Sequence, residues 1–349
     1  MARPKGALRR GWTTGACAAA AARAAFAALV GGEFPDPVTI RLPGGDASFP
    51  LALKEKSGAT ARAGIIKDAG DDPDVTHGAL VVAEVRRGAA GAGLRFFAGL
   101  GVGTVTLAGL PLAVGEPAIN PGPRAMIRAA MAEIDPALDA DVTLSIPGGE
   151  KLALSTMNGR LGIRGGLSIL GTTGIVVPYS CAAWIASIRR GIDVARAAGL
   201  AHIAAATGRG SEAAVQKLFD LPEMALIDMG DFVGGTLKYL NRHPVARLTL
   251  AGGIGKLAKL AQGALDLHAA RSHLDGAALL SRLGGGTQVP NMTSGGAIME
   301  SLAPDLAAKL AEIVAGDARA VALAQLTASI AVDVAVFDRQ GALLAHAGP

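Results

Sequence analysis

Aromatic residues are scarce in this chain of 349: two Trp, two Tyr and eight Phe make up 3%. Binding single-stranded nucleic acid needs stacking platforms interleaved with basic residues. So few rings cannot supply them, and the 33 Lys and Arg are scattered along the chain. No nucleic-acid partner is expected. Cysteine is rarer still. Cys17 and Cys181 stand alone in no metal or redox spacing, which suggests two small buried thiols in a reducing compartment. Long, strongly apolar runs of about 20 residues, as a membrane-spanning helix needs, are not apparent. The hydrophobic half of the composition is largely alanine. The segment ACAAAAARAAFAALV, preceded by Arg3, Lys5, Arg9 and Arg10, imitates a signal peptide, but Arg23 interrupts it. Alanine is a weak hydrophobe and the best helix former, and Thr13 or Thr14 would cap the helix. A soluble helix in a cytoplasmic protein, without membrane contact, is therefore expected.

Glycine is abundant at 48 residues, and the length suffices for two domains. A net charge of +4 modestly favours an anionic small-molecule ligand. VTIRL (38–42), FPLAL (49–53), ATARAGII (59–66), ALVVAEVRR (79–87) and GLRFF (93–97) read as short strands punctuated by Gly and Pro. Arg124 to Glu133 reads as a helix. VTIRLPGG (38–45) echoes VTLSIPGG (142–149), hinting at two related strands of one sheet. Beyond about residue 185 the rhythm becomes strand, glycine turn, helix, three times over: HIAAAT (202–207), MALID (224–228) and RLTLA (247–251). That repetition predicts a parallel sheet with crossover helices. A loop over 283–296, two helices and a closing hairpin from AVDVAVF (331–337) complete the expectation. The fold class is an α+β domain of short strands with helices over 1–155, followed by an α/β Rossmann-like domain with a parallel sheet over 156–349.

Parallel sheets bind ligands at their strands' carboxyl ends, where helix N-termini face anionic groups. Gly208 and Gly210 occupy such an end, and Asp228 follows 20 residues later, at a spacing that suits a ribose diol. Gly252 and Gly255 repeat the device. Close packing explains such glycines equally well. Thr172, Thr173 and Gly174, in LGTTGIVVPYS, could present donors to a carboxylate or form an ordinary turn. KDAGDDPDVTHG (67–78) concentrates Lys67, four aspartates and His77. It lacks a calcium-loop register, and His77 has no partner histidine nearby, so no metal is expected. The stretch is either a solvated turn or a polar cluster beside a ligand.

KDAGDDPDVTHG resembles the signature of the CbiD family, cobalt-precorrin-5B C(1)-methyltransferases of the anaerobic cobalamin pathway. GWTTGACAAAAA (11–22), GVGTVTLAGLPLAVGEPAINPGPRAMI (101–127), VTLSIPGGE (142–150), NGRLGIRGGLSILGTTGIVVPYS (158–180), DFVGG (231–235) and GKLAKLAQG (255–263) follow in family order, covering about residues 8–275. The resemblance implies methyl transfer from S-adenosylmethionine to carbon 1 of an anionic cobalt-tetrapyrrole. It implies that the first domain contacts the tetrapyrrole and the second binds the donor, through Thr172, Thr173, Gly174, Gly208, Gly210, Asp228, Gly252 and Gly255. In its light His77 and Asp74 are candidates for proton movement. Thr13, Thr14, Lys67, Asp71, Asp72, Thr76, Glu116, Asn120 and Arg124 are candidates for substrate contact, Arg124 foremost because its fork suits a carboxylate. Two departures stand out. Gly253 sits where family members typically carry histidine, and 266–269 reads DLHA where they read NTHS. A nicotinamide-dependent oxidoreductase using the same α/β site and a non-catalytic tetrapyrrole-binding partner are the rival functions. A homo-oligomer and transient contact with neighbouring pathway enzymes are open partners.

Overall fold

An alanine-rich helix is the spine of the first of two units, Met1–Ser180 and Cys181–Pro349, into which the chain divides. This computed structural model describes residues 6–284 and 294–349; most of the loop expected over 283–296 lies outside them. The first unit opens with β1 (Gly11–Trp12), α1 (Thr14–Gly31), β2 (Val38–Leu42) and β3 (Gly45–Phe49). There follow β4 (Leu53–Ser57), β5 (Thr60–Ile66), β6 (Leu80–Arg87), β7 (Leu94–Ala98) and β8 (Thr104–Val105). It ends with α2 (Pro121–Ala132), β9 (Ala140–Ser145), α3 (Gly149–Ala153), β10 (Ile163–Arg164) and β11 (Ile175–Val176).

Strands β4-β5-β6-β9-β7 form a five-stranded sheet, antiparallel except for the β7–β9 pair. Helix α1 lies on β5 and β6, where Ala61, Ala63, Val81, Ala83 and Val85 face it. Ala18 to Ala22 are all fully buried; methyl side chains let the helix axis come close to the sheet. By length and composition α1 could cross a membrane, contrary to expectation, but 72% of it is buried inside the protein, as in a core helix.

Four other expectations need correcting. FPLAL is no strand: β3 ends at Phe49 and β4 begins at Leu53, because Pro50 has no N–H for a ladder. The echoing segments belong to different sheets, β2 pairing with β3 alone and β9 lying between β6 and β7. Helix α2 begins at Pro121, whose fixed φ suits a first helical position, rather than at Arg124. Residues 156–180, assigned to the second domain, fall in the first unit, where β10 pairs with β8 and β11 with β1.

The second unit runs α4 (Cys181–Ala197), β12 (His202–Ala206), α5 (Arg209–Phe219), β13 (Leu226–Asp228) and α6 (Val233–Leu240). It continues with β14 (Arg247–Gly253), α7 (Ile254–Ala261), α8 (Gly276–Ser281), α9 (Gly295–Ser301), α10 (Pro304–Ala324), β15 (Ala331–Phe337) and β16 (Leu343–Ala347). The sheet order is β13-β12-β14-β15-β16, parallel except for the antiparallel β16. Both faces are covered, which explains why β15 is apolar at every position but one. Its one charge, Asp333, is fully buried and holds Arg247 through two bonds of 2.6 and 2.9 Å, with His346 Nε2 at 3.0 Å. Cys17 is buried, and burial pushes its thiol up to about 12; Cys181, expected to be buried, is exposed at the start of α4.

Candidate functional site

The Asp-rich stretch is the turn between β5 and β6. Its base is tied by the Lys67 amide donating to Ala79 O (2.9 Å) and the Gly78 amide to Lys67 O (2.7 Å). Every carboxylate in it is engaged. Asp74 accepts from Lys67 Nζ at 2.7 Å and from the Thr76 amide and hydroxyl at 2.8 and 2.6 Å. Asp68 accepts from the guanidinium fork of Arg9 and from the Gly70 amide, at 2.9 Å. Asp71 takes the Arg9 amide at 2.6 Å. Asp72 takes the amide of Tyr179, a residue held in the left-handed region at φ 56°. The turn thus clasps the segment before β1 and the segment after β11. The approach leaves no room for side chains: a Cβ on Gly11 would lie 2.1 Å from the Ala69 carbonyl carbon, and one on Gly70 (φ +67°) 2.2 Å from Arg9 O.

These contacts revise several expected roles. Lys67, expected to touch substrate, has a side chain only 1% exposed and is paired with Asp74. Thr76 is buried and committed to the same carboxylate. Asp71 and Asp72 bond backbone amides rather than presenting themselves to a ligand. Burial acts to raise the Asp74 carboxyl, but Lys67 and Thr76 together outweigh it and hold the group below the usual carboxylate range. Both carboxylate oxygens of Asp74, expected to assist proton movement, are thus engaged within the turn. Asp68 is held down at about 2, chiefly by Arg9. His77 remains exposed, and its Nδ1 accepts the Ala69 amide at 3.1 Å. In the neutral ring that bond leaves the proton on Nε2, as a donor.

A second cluster forms where α1 and α2 begin. The Thr13 hydroxyl caps α1 by accepting the Ala16 amide at 3.1 Å, and the Thr13 amide donates to Gly174 O at 2.9 Å. Thr14 Oγ1 accepts the Leu170 amide at 3.0 Å, and the Gly15 amide donates to Leu170 O at 2.9 Å. Both threonines are buried, so the substrate contacts expected of them give way to a structural role. Asn120 Nδ2 donates to Ile169 O at 3.2 Å. Arg124, in the first turn of α2, donates through Nε to Ile119 O (2.7 Å) and through Nη2 to Pro117 O and Glu116 Oε2 (both 3.3 Å). Its guanidinium lies over the Phe96 ring, 5.5 Å from the centroid. The 169–174 turn joins this group, since a Cβ on Gly122 would sit 3.4 Å from Thr172 Cα. Thr172 and Thr173 are exposed on it, whereas Gly174 has its own reason to be glycine: φ +79° and Leu42 2.8 Å from any Cβ.

In the second unit the strand order reverses between β12 and β14, the kind of point where α/β sheets take ligands beyond their carboxyl ends. Gly208 and Gly210 follow β12. A Cβ at either would meet nothing within 4 Å, and neither has a left-handed φ. Neither packing nor conformation demands glycine there; the open space suits a ligand's close approach. Gly252 differs: a Cβ would come within 2.8 Å of Thr207 Oγ1, so packing explains it. Gly255 is in ordinary contact with Gly295, and Asp228 ends β13. Three charged residues not singled out from the sequence gather nearby. Asp231 pairs with Lys256, and Lys256 and Lys259 both reach Leu267 O, at 3.3 and 3.2 Å. Burial and the neighbouring Lys256 push the Lys259 ammonium down. Their signal lay in the DFVGG and GKLAKLAQG segments, which no local charge pattern distinguishes. Among the described residues, no three His, Cys, Asp or Glu side chains are grouped to hold a metal ion. An open depression of about 610 Å³ near the C-terminal end of α1, lined by Arg23, Val30, Phe34 and Ile134, contains none of these residues.

Comparison with known proteins adds the remaining observation. Residues 1–178 match the CbiD family. The chain is 57% identical over 354 residues to the cobalt-precorrin-5B C(1)-methyltransferase of Halorhodospira halophila, covering 98% of this chain and 95% of that protein. It is 56% identical over 349 residues to the enzyme of the same name from Agrobacterium fabrum, covering 96% and 92%. Among solved structures, the cobalamin biosynthesis protein (cbiD) of Archaeoglobus fulgidus is 30% identical, covering 72% of this chain and 79% of that one, with a TM-score of 0.41.

Proposed function

This chain belongs to the CbiD family, and we propose on that premise that it transfers the methyl group of S-adenosylmethionine to carbon 1 of cobalt-precorrin-5B, giving cobalt-precorrin-6A, in the cytoplasm. The observation that carries the proposal is identity above one half along nearly the whole chain to proteins bearing that activity. Neither a nicotinamide-dependent oxidoreductase nor a carrier without turnover has comparable support.

The donor, when bound, supplies an electrophilic methyl group on a sulfonium; the ring carbon is itself the nucleophile, so the chain need contribute neither. Its task is alignment and charge recognition. We assign the donor's nucleoside to the Rossmann-like sheet of the second unit, with Gly208 and Gly210 leaving room at the end of β12 and Asp228 offering a carboxylate for the ribose hydroxyls. Gly252 and Gly255 shape the neighbouring strand end rather than touching it. The acceptor's carboxylates fit the first unit, where Arg124, Asn120, Thr172, Thr173 and the Nε2–H of His77 are donors, with Glu116 orienting Arg124. Incubation with labelled donor and enzymatically prepared cobalt-precorrin-5B tests the reading: a product heavier by one methyl group supports it. Donor binding without any labelled product leaves a binding protein and refutes the proposed reaction.

A further inference from the structure

In a chain with only two tryptophans, one is held rigid and open beside the acid assigned to the donor's ribose. Trp184, in the first turn of α4, is 45% exposed. Its ring cannot swing freely. Nε1 donates to Asp228 O at 3.0 Å, and Gly230 lies so close that a Cβ there would come within 3.2 Å of Cζ2. Phe232 supports it with a ring 6.3 Å away, tilted by 51°. A large apolar surface fixed in place and left partly uncovered is poised for a flat partner.

We propose that Trp184 is the platform on which the purine base of the methyl donor stacks. The inference rests on the donor reading above and extends it to a residue outside the Gly208/Gly210/Asp228 set. Covalent chemistry supplies the link: the base is borne by C1′, the neighbour of the carbon whose hydroxyl the acid at the end of β13 would bond. A base therefore lies close to Asp228, the residue whose main-chain oxygen the indole bonds. Gly230 is glycine for two reasons that serve this arrangement, a left-handed φ of +56° and the ring against it.

The test uses the full chain and S-adenosylhomocysteine. The other indole, Trp12, packs edge-on against Phe49, so a Trp12→Phe protein makes Trp184 the sole indole reporter. Saturating ligand should quench its fluorescence, and Trp184→Ala should weaken binding about tenfold to a hundredfold, as loss of a base-stacking ring does elsewhere. Trp184→Phe should lose less. Equal affinity in wild type and Trp184→Ala, or bound ligand without quenching, overturns the platform and leaves the donor site standing. If Trp184→Ala does not fold, quenching of the sole-indole protein and the affinity of Trp184→Phe decide the matter. Wild-type protein that fails to bind S-adenosylhomocysteine by calorimetry overturns both the platform and the donor assignment.

Discussion

Replacing Asp74 by alanine should cost the first unit far more than removing the lysine it pairs with. Lys67 is 1% exposed and its ammonium lies 2.7 Å from the Asp74 carboxylate, itself about a quarter exposed. Deleting one partner of a buried pair leaves an uncompensated charge, at about 3–5 kcal/mol; water reaching Asp74 argues for the lower end, ~3 kcal/mol. Lys67→Met removes the buried charge instead, and Asp74 keeps its two Thr76 bonds, so ~1 kcal/mol is expected. The double variant should resemble Lys67→Met, giving a coupling of about 3 kcal/mol in magnitude. For a unit of this size Asp74→Ala should lower Tm by about 6–12 °C. Urea melts read from Trp12 fluorescence, in a Trp184→Phe background, isolate the first unit, which matters because two units need not unfold together. The pH dependence follows from the sign of the shift. Asp74 is depressed in the folded state, so its contribution is present above the unfolded value of about 4 and is lost as pH falls through the folded value. The gap between wild type and Asp74→Ala should therefore close in acid. Lys67→Met costing as much as Asp74→Ala at pH 7, or a gap unchanged at pH 3, would refute the reasoning.

Arg124→Ala should raise the acceptor's KM by about tenfold, roughly one charge-assisted bond, while the donor's Kd stays constant; a collapse of donor affinity instead would place Arg124 in the wrong site. Asp333→Asn should destabilise the second unit by about 3 kcal/mol at pH 7, since Arg247 loses its buried partner. Burial acts to raise Asp333, but Arg247 and His346 outweigh it and the group sits low. Its contribution is thus lost as pH falls through that folded value, and thermal melts of wild type and variant should converge below about pH 4. Melts that stay parallel across that range count against the assignment. Gly253→His adds a side chain at the N-cap of α7; with φ −74° and the nearest atom 3.9 Å from a Cβ, it should change stability by less than about 0.5 kcal/mol, measured by chemical denaturation. A larger loss means that the space beside β14 is not open.

Strands with strong alternation or long apolar runs were legible without coordinates. VTIRL matches β2, and AVDVAVF matches β15 residue for residue, because period-two patterning and β-branched content act locally. The three strand–turn–helix units were legible for the same reason, and with them the parallel sheet. Helix α4 escaped notice although Ile188, Ile192 and Ala195 recur at helical spacing on its buried face. FPLAL misled because apolar content without regard to Pro50 suggests a strand that the backbone cannot hydrogen-bond.

The order of elements, the glycine turns at the ends of β12 and β14 and the family's motifs are properties of the amino-acid string, since each depends on neighbours a few residues away. The fate of the charged turn at 67–78 is not. Whether its aspartates greet a ligand or bind the protein depended on Arg9 and Tyr179, which lie 62 and 107 residues from their carboxylate partners. Only folding brings those amides within reach, and a carboxylate that has found its donors at home has few left to offer a substrate.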